Sequence, residues 1–211
     1  MRTQVIVLNG GSSSGKTTLA RALQDLLPGA WLAFSVDTLV EALPARLRDG
    51  ADGIAVDTET VTVGDTFRLL DTAWAHGIAA MARAGARVVV DDVFLGGPAS
   101  QQRWRDALDG LDVLWVGVHC APEVAAAREA ARGDRAEGMA AAQAVAVHGG
   151  IDYDLTVDTG THPTAWCAAQ VASVVAARVA AREERVPGEA VGGPGAPLEL
   201  GAGPVNGGRW V

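Results

Sequence analysis

Lysine is almost missing from this chain: of 17 basic residues, Lys16 is the one that is not arginine. A lysine kept against such a background marks a place where a compact ammonium is needed and a planar guanidinium does not fit. Cysteine is scarce as well. Cys120 and Cys167 lie far apart without C-x-x-C spacing, so they read as small buried hydrophobes in a reducing compartment. No apolar run approaches the roughly 18 residues that span a bilayer, and the N-terminus enters a strand at once. Neither a transmembrane helix nor a signal peptide is expected, and the expected location is cytoplasmic. Positive charge is short, with a net charge of −8. That balance argues against a nucleic-acid duplex or an anionic membrane as partner, but leaves room for a small anion in a local basic pocket. His76, His119, His148 and His162 show neither metal nor triad spacing and read as incidental.

What remains is a globular pattern. The 211 residues suit one domain with a sizeable core, and 49% hydrophobic with 20% charged residues is ordinary for such a domain. Apolar runs at Gln4–Asn9, Ala30–Val36, Arg87–Phe94, Asp112–Cys120 and Asp154–Val157 predict five strands. Helical spacing predicts helices over Thr17–Leu27, from Asp37, over Asp65–Ala84, Ala99–Leu108, Pro122–Arg132, up to about Val147, and over Thr164–Arg182. The stretch Asp52–Gly64 reads as a small hairpin or excursion. Strands alternating with helices predict an α/β fold: a five-stranded parallel sheet covered on both faces, with ligands at the C-terminal edge of its strands. The expected domain is 1–185. From 186 to 211, 12 of 26 residues are Gly or Pro and periodicity is lost, which predicts a disordered tail.

Gly10-Gly11-Ser12-Ser13-Ser14-Gly15-Lys16-Thr17 matches G-x-x-x-x-G-K-[ST], between a predicted strand and a predicted helix. Glycines let the backbone fold tightly so that N–H groups point at phosphates, and the following helix turns its N-terminus to the same anion. Lys16 is expected at the β- and γ-phosphates of ATP and Thr17 at Mg²⁺. This is the arrangement of a P-loop NTPase.

Asp37, at the end of the second strand, reads either as the group that orients an acceptor hydroxyl and takes its proton, or as a helix N-cap. Asp91 and Asp92 end an apolar strand as a Mg²⁺-holding carboxylate does. Adjacent strand residues face opposite ways, so one of the pair is structural. Arg128, Arg132 and Arg135 read as an arginine-bearing lid over the phosphates, or as a solvated face paired with Glu129 and Glu137.

Taken together, LNGGSSSGKT, WLAFSVDTLVEALP, RVVVDDVFLGG, DVLWVGVHC and AREAARGDRAEGMAAAQAVAVH resemble the chloramphenicol phosphotransferase family, from about Gln4 to Val157. The resemblance implies a fold related to shikimate and nucleotide kinases. It also implies transfer of the ATP γ-phosphate to the primary hydroxyl of chloramphenicol, as self-protection in a producing actinomycete. The family's base falls on Asp37, its lid arginines on Arg132 and Arg135, and its ATP loop on Gly10 to Thr17. An excursion within 48–67 is implied to help form the acceptor pocket. By residue type, Phe34, Leu43, Ile54 and Phe94 read either as walls of that pocket or as plain core packing.

The expected partners are ATP and a small hydroxylated, chloramphenicol-like acceptor, and a homo-oligomer is compatible with the sequence. One alternative keeps the kinase chemistry and changes the acceptor. A carboxylate-bearing one is disfavoured, because only Arg46 and Arg48 stand close to Asp37 in the sequence. Another is a nucleotide-dependent regulatory protein. With Lys16 the sole lysine, the N-K-x-D base-reading motif of GTPases cannot exist, so ATP is the better nucleotide.

Overall fold

Five short strands pair side by side in the computed structural model, which describes residues 3–48, 50–56, 61–132 and 138–183. The side chains of 56, 132, 182 and 183 lie outside that description. So does the predicted tail at 186–211. The strands are β1 (Val5–Asn9), β2 (Trp31–Ser35), β5 (Arg87–Asp92), β6 (Val113–His119) and β7 (Leu155–Asp158). They form one parallel sheet in the order β2-β5-β1-β6-β7, as the alternating pattern predicts. A separate antiparallel hairpin joins β3 (Ile54–Val56) to β4 (Val61–Val63), within the predicted excursion.

Both faces of the sheet are covered, and β1 shows how. Its residues are all buried, so it has no polar face to turn to water. Ile6 and Leu8 point to one side, where α1 (Lys16–Leu26) and α8 (Thr164–Glu183) bring Leu19, Leu23, Cys167 and Val171. Val5 and Val7 point to the other, against α4 (Asp65–Arg83) and α5 (Pro98–Ala107) with Ile78, Ala79, Trp104 and Ala107. Each large aliphatic side chain buried in this way contributes about 1.5–3 kcal/mol. The thiols of Cys120 and Cys167 are both free and buried, as expected.

A third, smaller core positions the functional edge. Leu39 and Leu43 of α2 (Val36–Ala42), Leu47 of α3 (Ala45–Arg48) and Phe67 of α4 pack together, joined by Ile54 and Val63 of the hairpin. The excursion is thus a wall held by its own apolar cluster. The remaining helices are α6 (Pro122–Arg132) and α7 (Met139–Ala146).

Two expectations are corrected here. Strand β2 stops at Ser35, because Ser35 caps α2: its hydroxyl accepts from Thr38 N–H while Thr38 bonds back to the Ser35 N–H. Asp37 therefore sits in the first turn of a helix, neither at a strand end nor at the N-cap. Second, Thr164–Ala181 reaches a mean hydropathy of 1.3, long and apolar enough by composition to cross a membrane, where the sequence reading saw no such run. Alanines and valines there outweigh the single arginine, Arg178. In the fold, its Cys167, Ala168, Val171 and Val175 face the sheet and α1.

Candidate active site

The turn from β1 into α1 is tight because of what surrounds it. A Cβ on Gly10 would lie 2.5 Å from the Val118 carbonyl oxygen, and one on Gly11 would lie 3.0 Å from the Ala144 amide of α7. Ser13 and Gly15 adopt positive φ of 55° and 87°, which curls the loop around a hollow. Gly15 precedes α1 without a side-chain cap, leaving the helix N-terminus to an anion. Ser12, Ser13, Gly15, Lys16 and Thr17 line a cleft of about 420 Å³. Gly10, Gly11 and Ser14 lie outside that lining, in the turn that shapes it. Lys16 is only 7% exposed; its Nζ donates to the Gly11 carbonyl at 2.8 Å and lies 3.7 Å from Asp91.

Strand alternation settles the two aspartates. Asp91 shares the α1 face with Val89, two residues before it, and there Thr17 Oγ1 donates to its Oδ2 at 2.6 Å. Burial pushes the Asp91 carboxyl up, against the pull of Lys16 and of the Thr17 hydrogen bond, with Asp37 and Asp92 raising it further. Asp92 turns the opposite way and accepts from the Trp104 indole N–H at 2.5 Å and from Val93 N–H. Only Asp91 lines the cleft with Thr17; Asp92, grouped with the metal candidates on sequence, opens into a different cavity.

Arg128, on α6, closes the far side of the cleft. Its Nη2 donates to the Thr159 carbonyl at 2.7 Å and its Nη1 to the Thr159 hydroxyl at 3.2 Å. Thr159 in turn donates to the Ser14 carbonyl at 2.5 Å. Thr159 went unread in the sequence, although its place just past β7, at the C-terminal edge of a parallel sheet, was a usable signal. Arg132 ends α6; its side chain, together with Arg135 and all of 133–137, lies outside the described residues.

The alternative reading of Glu129 as a solvated ion-pair partner is corrected. Glu129 is 3% exposed, and its carboxylate accepts the N–H groups of Gly138 and Ala140 at the start of α7. A carboxylate there satisfies orphan amides and meets the positive end of the helix dipole. Helix α7 then lies on the phosphate loop, where Gln143 Oε1 accepts the Ser12 N–H at 2.9 Å. We expect Glu129→Ala to cost about 1–2 kcal/mol as a lost cap. Thermal denaturation reads this, and an unchanged midpoint would contradict the capping role.

Beside the cleft lies a second cavity of about 230 Å³. Val36, Asp37 and Val93 line both spaces. One wall is apolar, built from Val40, Ile54, Val63 and Phe67. Of the four candidate walls only Ile54 lines it; Leu43 and Phe94 are core residues, and Phe34 packs edge-on against Trp74 at 5.7 Å. The opposite end is polar. Arg103 Nη2 lies 3.0 Å from Asp71 Oδ2 and 3.7 Å from Asp92 Oδ2. Arg46 and Arg48 do not reach this cavity; Arg68 and Arg103 do, from α4 and α5, remote in sequence from Asp37. None of the histidines lines either space. His148 stacks on His119 at 3.9 Å and meets Tyr153 Oη at 2.7 Å, and burial pushes it down to about 4.

Burial pushes the Asp71 carboxyl up to about 6 against the pull of Arg103, and Asp92 adds to the rise. A folded value above the unfolded one means that its contribution to stability is full below about pH 4 and is lost as pH rises through about 6. Asp71→Asn cannot ionise. We therefore expect the variant to gain on the order of 2–3 kcal/mol over the wild type between pH 4 and pH 8. Denaturant titrations at both pH values measure it, and equal differences at the two pH values would contradict it.

Comparison with known proteins agrees with this geometry. Residues 3–190 match the family model described as chloramphenicol phosphotransferase-like protein. Two Mycobacterium tuberculosis proteins, both designated candidate O-phosphotransferases, are 36% identical over 179 residues, covering 76% of this chain and 76% of theirs. Among solved structures, a gluconokinase from Sinorhizobium meliloti superposes with a TM-score of 0.60 at 19% identity, covering 88% of this chain and 99% of that one. The Mycobacterium tuberculosis APS kinase, held with AMPPNP and APS, gives 0.56 at 16% identity, over 83% and 98%. Such distant structures share the fold, that of P-loop kinases. The chain belongs to the chloramphenicol phosphotransferase-like family and is an O-phosphotransferase with a P-loop kinase fold.

Proposed function

We propose that the protein transfers the γ-phosphoryl group of ATP to the hydroxyl of a small hydroxylated acceptor, and that chloramphenicol, through its primary hydroxyl, is such an acceptor. The observation that carries this reading is the position of Asp37, which lines both the phosphate cleft and the second cavity. A hydroxyl presented from the second cavity meets the carboxylate at the mouth of the first. The acceptor oxygen attacks the γ-phosphorus, the bond from that phosphorus to the bridging oxygen of ADP breaks, and the hydroxyl proton passes to Asp37. Lys16 and the loop amides hold the phosphates, and Arg128 holds the wall of the cleft. Arg132 and Arg135 are assigned charge stabilisation by the family resemblance.

The Thr17 hydroxyl and the Asp91 carboxylate, hydrogen-bonded at 2.6 Å beside the loop, form the hard oxygen set that Mg²⁺ takes, with phosphate oxygens completing it. When bound there, the ion neutralises phosphate charge. We expect Asp91→Asn to raise the Mg²⁺ concentration needed for half-maximal activity by roughly 10–100-fold, in the range found for groups supporting a metal site. An unchanged Mg²⁺ dependence would remove Asp91 from the site.

The apolar wall of the second cavity suits a ring, and its polar end suits further hydroxyl or amide groups. The self-protection role that the resemblance implies follows if chloramphenicol is phosphorylated. Incubation of chloramphenicol with the enzyme, ATP and Mg²⁺, followed by mass spectrometry and NMR, tests the acceptor. A product heavier by one phosphoryl group, esterified at the primary hydroxyl, is expected. Unmodified drug with intact ATP binding would reject chloramphenicol and move the search to other hydroxylated antibiotics.

A further inference from the structure

The polar end of the second cavity is more than packing. Asp71 lines this cavity and not the nucleotide cleft. Its side chain is 14% exposed, and its Oδ2 is held by Arg103 Nη2 at 3.0 Å. Among the described residues its Oδ1 takes no hydrogen bond from the protein. A carboxylate can accept at both oxygens, and a mostly buried one that lines a cavity with one oxygen not hydrogen-bonded by the protein is a site for a donor. The position also works against the carboxylate's charge, since burial raises its pKa. An asparagine or leucine would lie there more easily.

Charge narrows what the donor belongs to. The lining carries the carboxylates of Asp37, Asp71 and Asp92 against the guanidinium groups of Arg68 and Arg103. Both arginines already face protein oxygen. Arg103 lies within 4.0 Å of two carboxylates, and Arg68 donates to the Val63 carbonyl at 3.2 Å from the rim. Among the described residues, a carboxylate or phosphate entering here would be desolvated beside three carboxylates and only two guanidinium groups.

We propose that Asp71, oriented by Arg103, is the second polar anchor of the acceptor. It takes a hydrogen bond from an N–H or O–H remote from the hydroxyl that is phosphorylated, so that the cavity selects uncharged or cationic acceptors over acids. The inference rests on the phosphotransferase reading above. Asp71 acts as a specificity residue and leaves the phosphoryl transfer itself to Asp37 and the loop.

The test compares four probes at saturating ATP: chloramphenicol, its deacylated amine 2-amino-1-(4-nitrophenyl)propane-1,3-diol, gluconate and shikimate. The first two are expected to be phosphorylated and the two acids not. Asp71→Asn is expected to raise the acceptor KM at least tenfold, with a larger rise for the amine, while the KM for ATP stays within twofold. Asp71→Glu is expected to recover part of the loss. Product formation with an acceptor KM unchanged in Asp71→Asn overturns the inference and leaves the phosphotransferase standing. So does an equal rise in both KM values, which marks a structural role. Turnover of the acids in preference to the other two overturns the inference while the kinase chemistry survives. Absence of product from both chloramphenicol and the amine overturns the acceptor reading and the inference together.

Discussion

Asp37→Asn loses phosphoryl transfer by about 10²–10⁴ in kcat, the range for a positioned proton acceptor, with ATP binding unchanged. The structure separates this loss from a stability effect. Ser35 caps α2, so asparagine at position 37 leaves the cap intact. What the helix loses is one negative charge in its first turn, worth about 0.3–1 kcal/mol. Steady-state kinetics beside thermal denaturation therefore gives two clear patterns. A large fall in kcat with a nearly unchanged midpoint supports the reactive role. A lowered midpoint with normal turnover would reduce Asp37 to a helix-stabilising charge.

Lys16→Ala should abolish turnover, lowering kcat by at least the roughly 10²–10³ of a single preorganised donor to a developing oxyanion. Its stability effect needs a control. Lys16 is almost wholly buried and lies 3.7 Å from Asp91, so alanine leaves a buried carboxylate without its cation. Lys16→Met keeps the aliphatic stem and tests the ammonium alone. Circular dichroism confirming the native fold in an inactive variant is the expected pair of results. Near-wild-type turnover in a folded variant would contradict the phosphate role of the loop.

Much of this was legible in the sequence because it depends on local chemistry. The strands are short apolar runs between helical periods, and the phosphate loop is specified by glycines and one lysine within eight residues. Strand alternation separates Asp91 from Asp92, but the facing direction depends on which side α1 covers, and that is a tertiary fact. Asp37 lies two residues past the helix cap because Ser35 and Thr38 form a capping box that ends the strand early. Glu129 was misread for a similar reason. Its partners are amides of α7, nine and eleven residues onward, and no spacing rule announces them. Asp71, Arg103 and Gln143 come from α4, α5 and α7, and only the fold brings them to one cavity. Their residue types are those of any amphipathic helix, so the acceptor side of the site could not be read before the elements were assembled.

The central claim is that phosphate leaves ATP for a carbon-bound hydroxyl under the control of Asp37. ATP labelled in its γ-phosphate, incubated with Mg²⁺, enzyme and chloramphenicol, tests it most directly when label is followed in organic and inorganic products. The expected result is label in the organic fraction with wild-type protein, reduced at least a hundredfold with Asp37→Asn. Label released only as inorganic phosphate, at a rate indifferent to the acceptor and to Asp37, would contradict the claim and identify a nucleotide hydrolase instead.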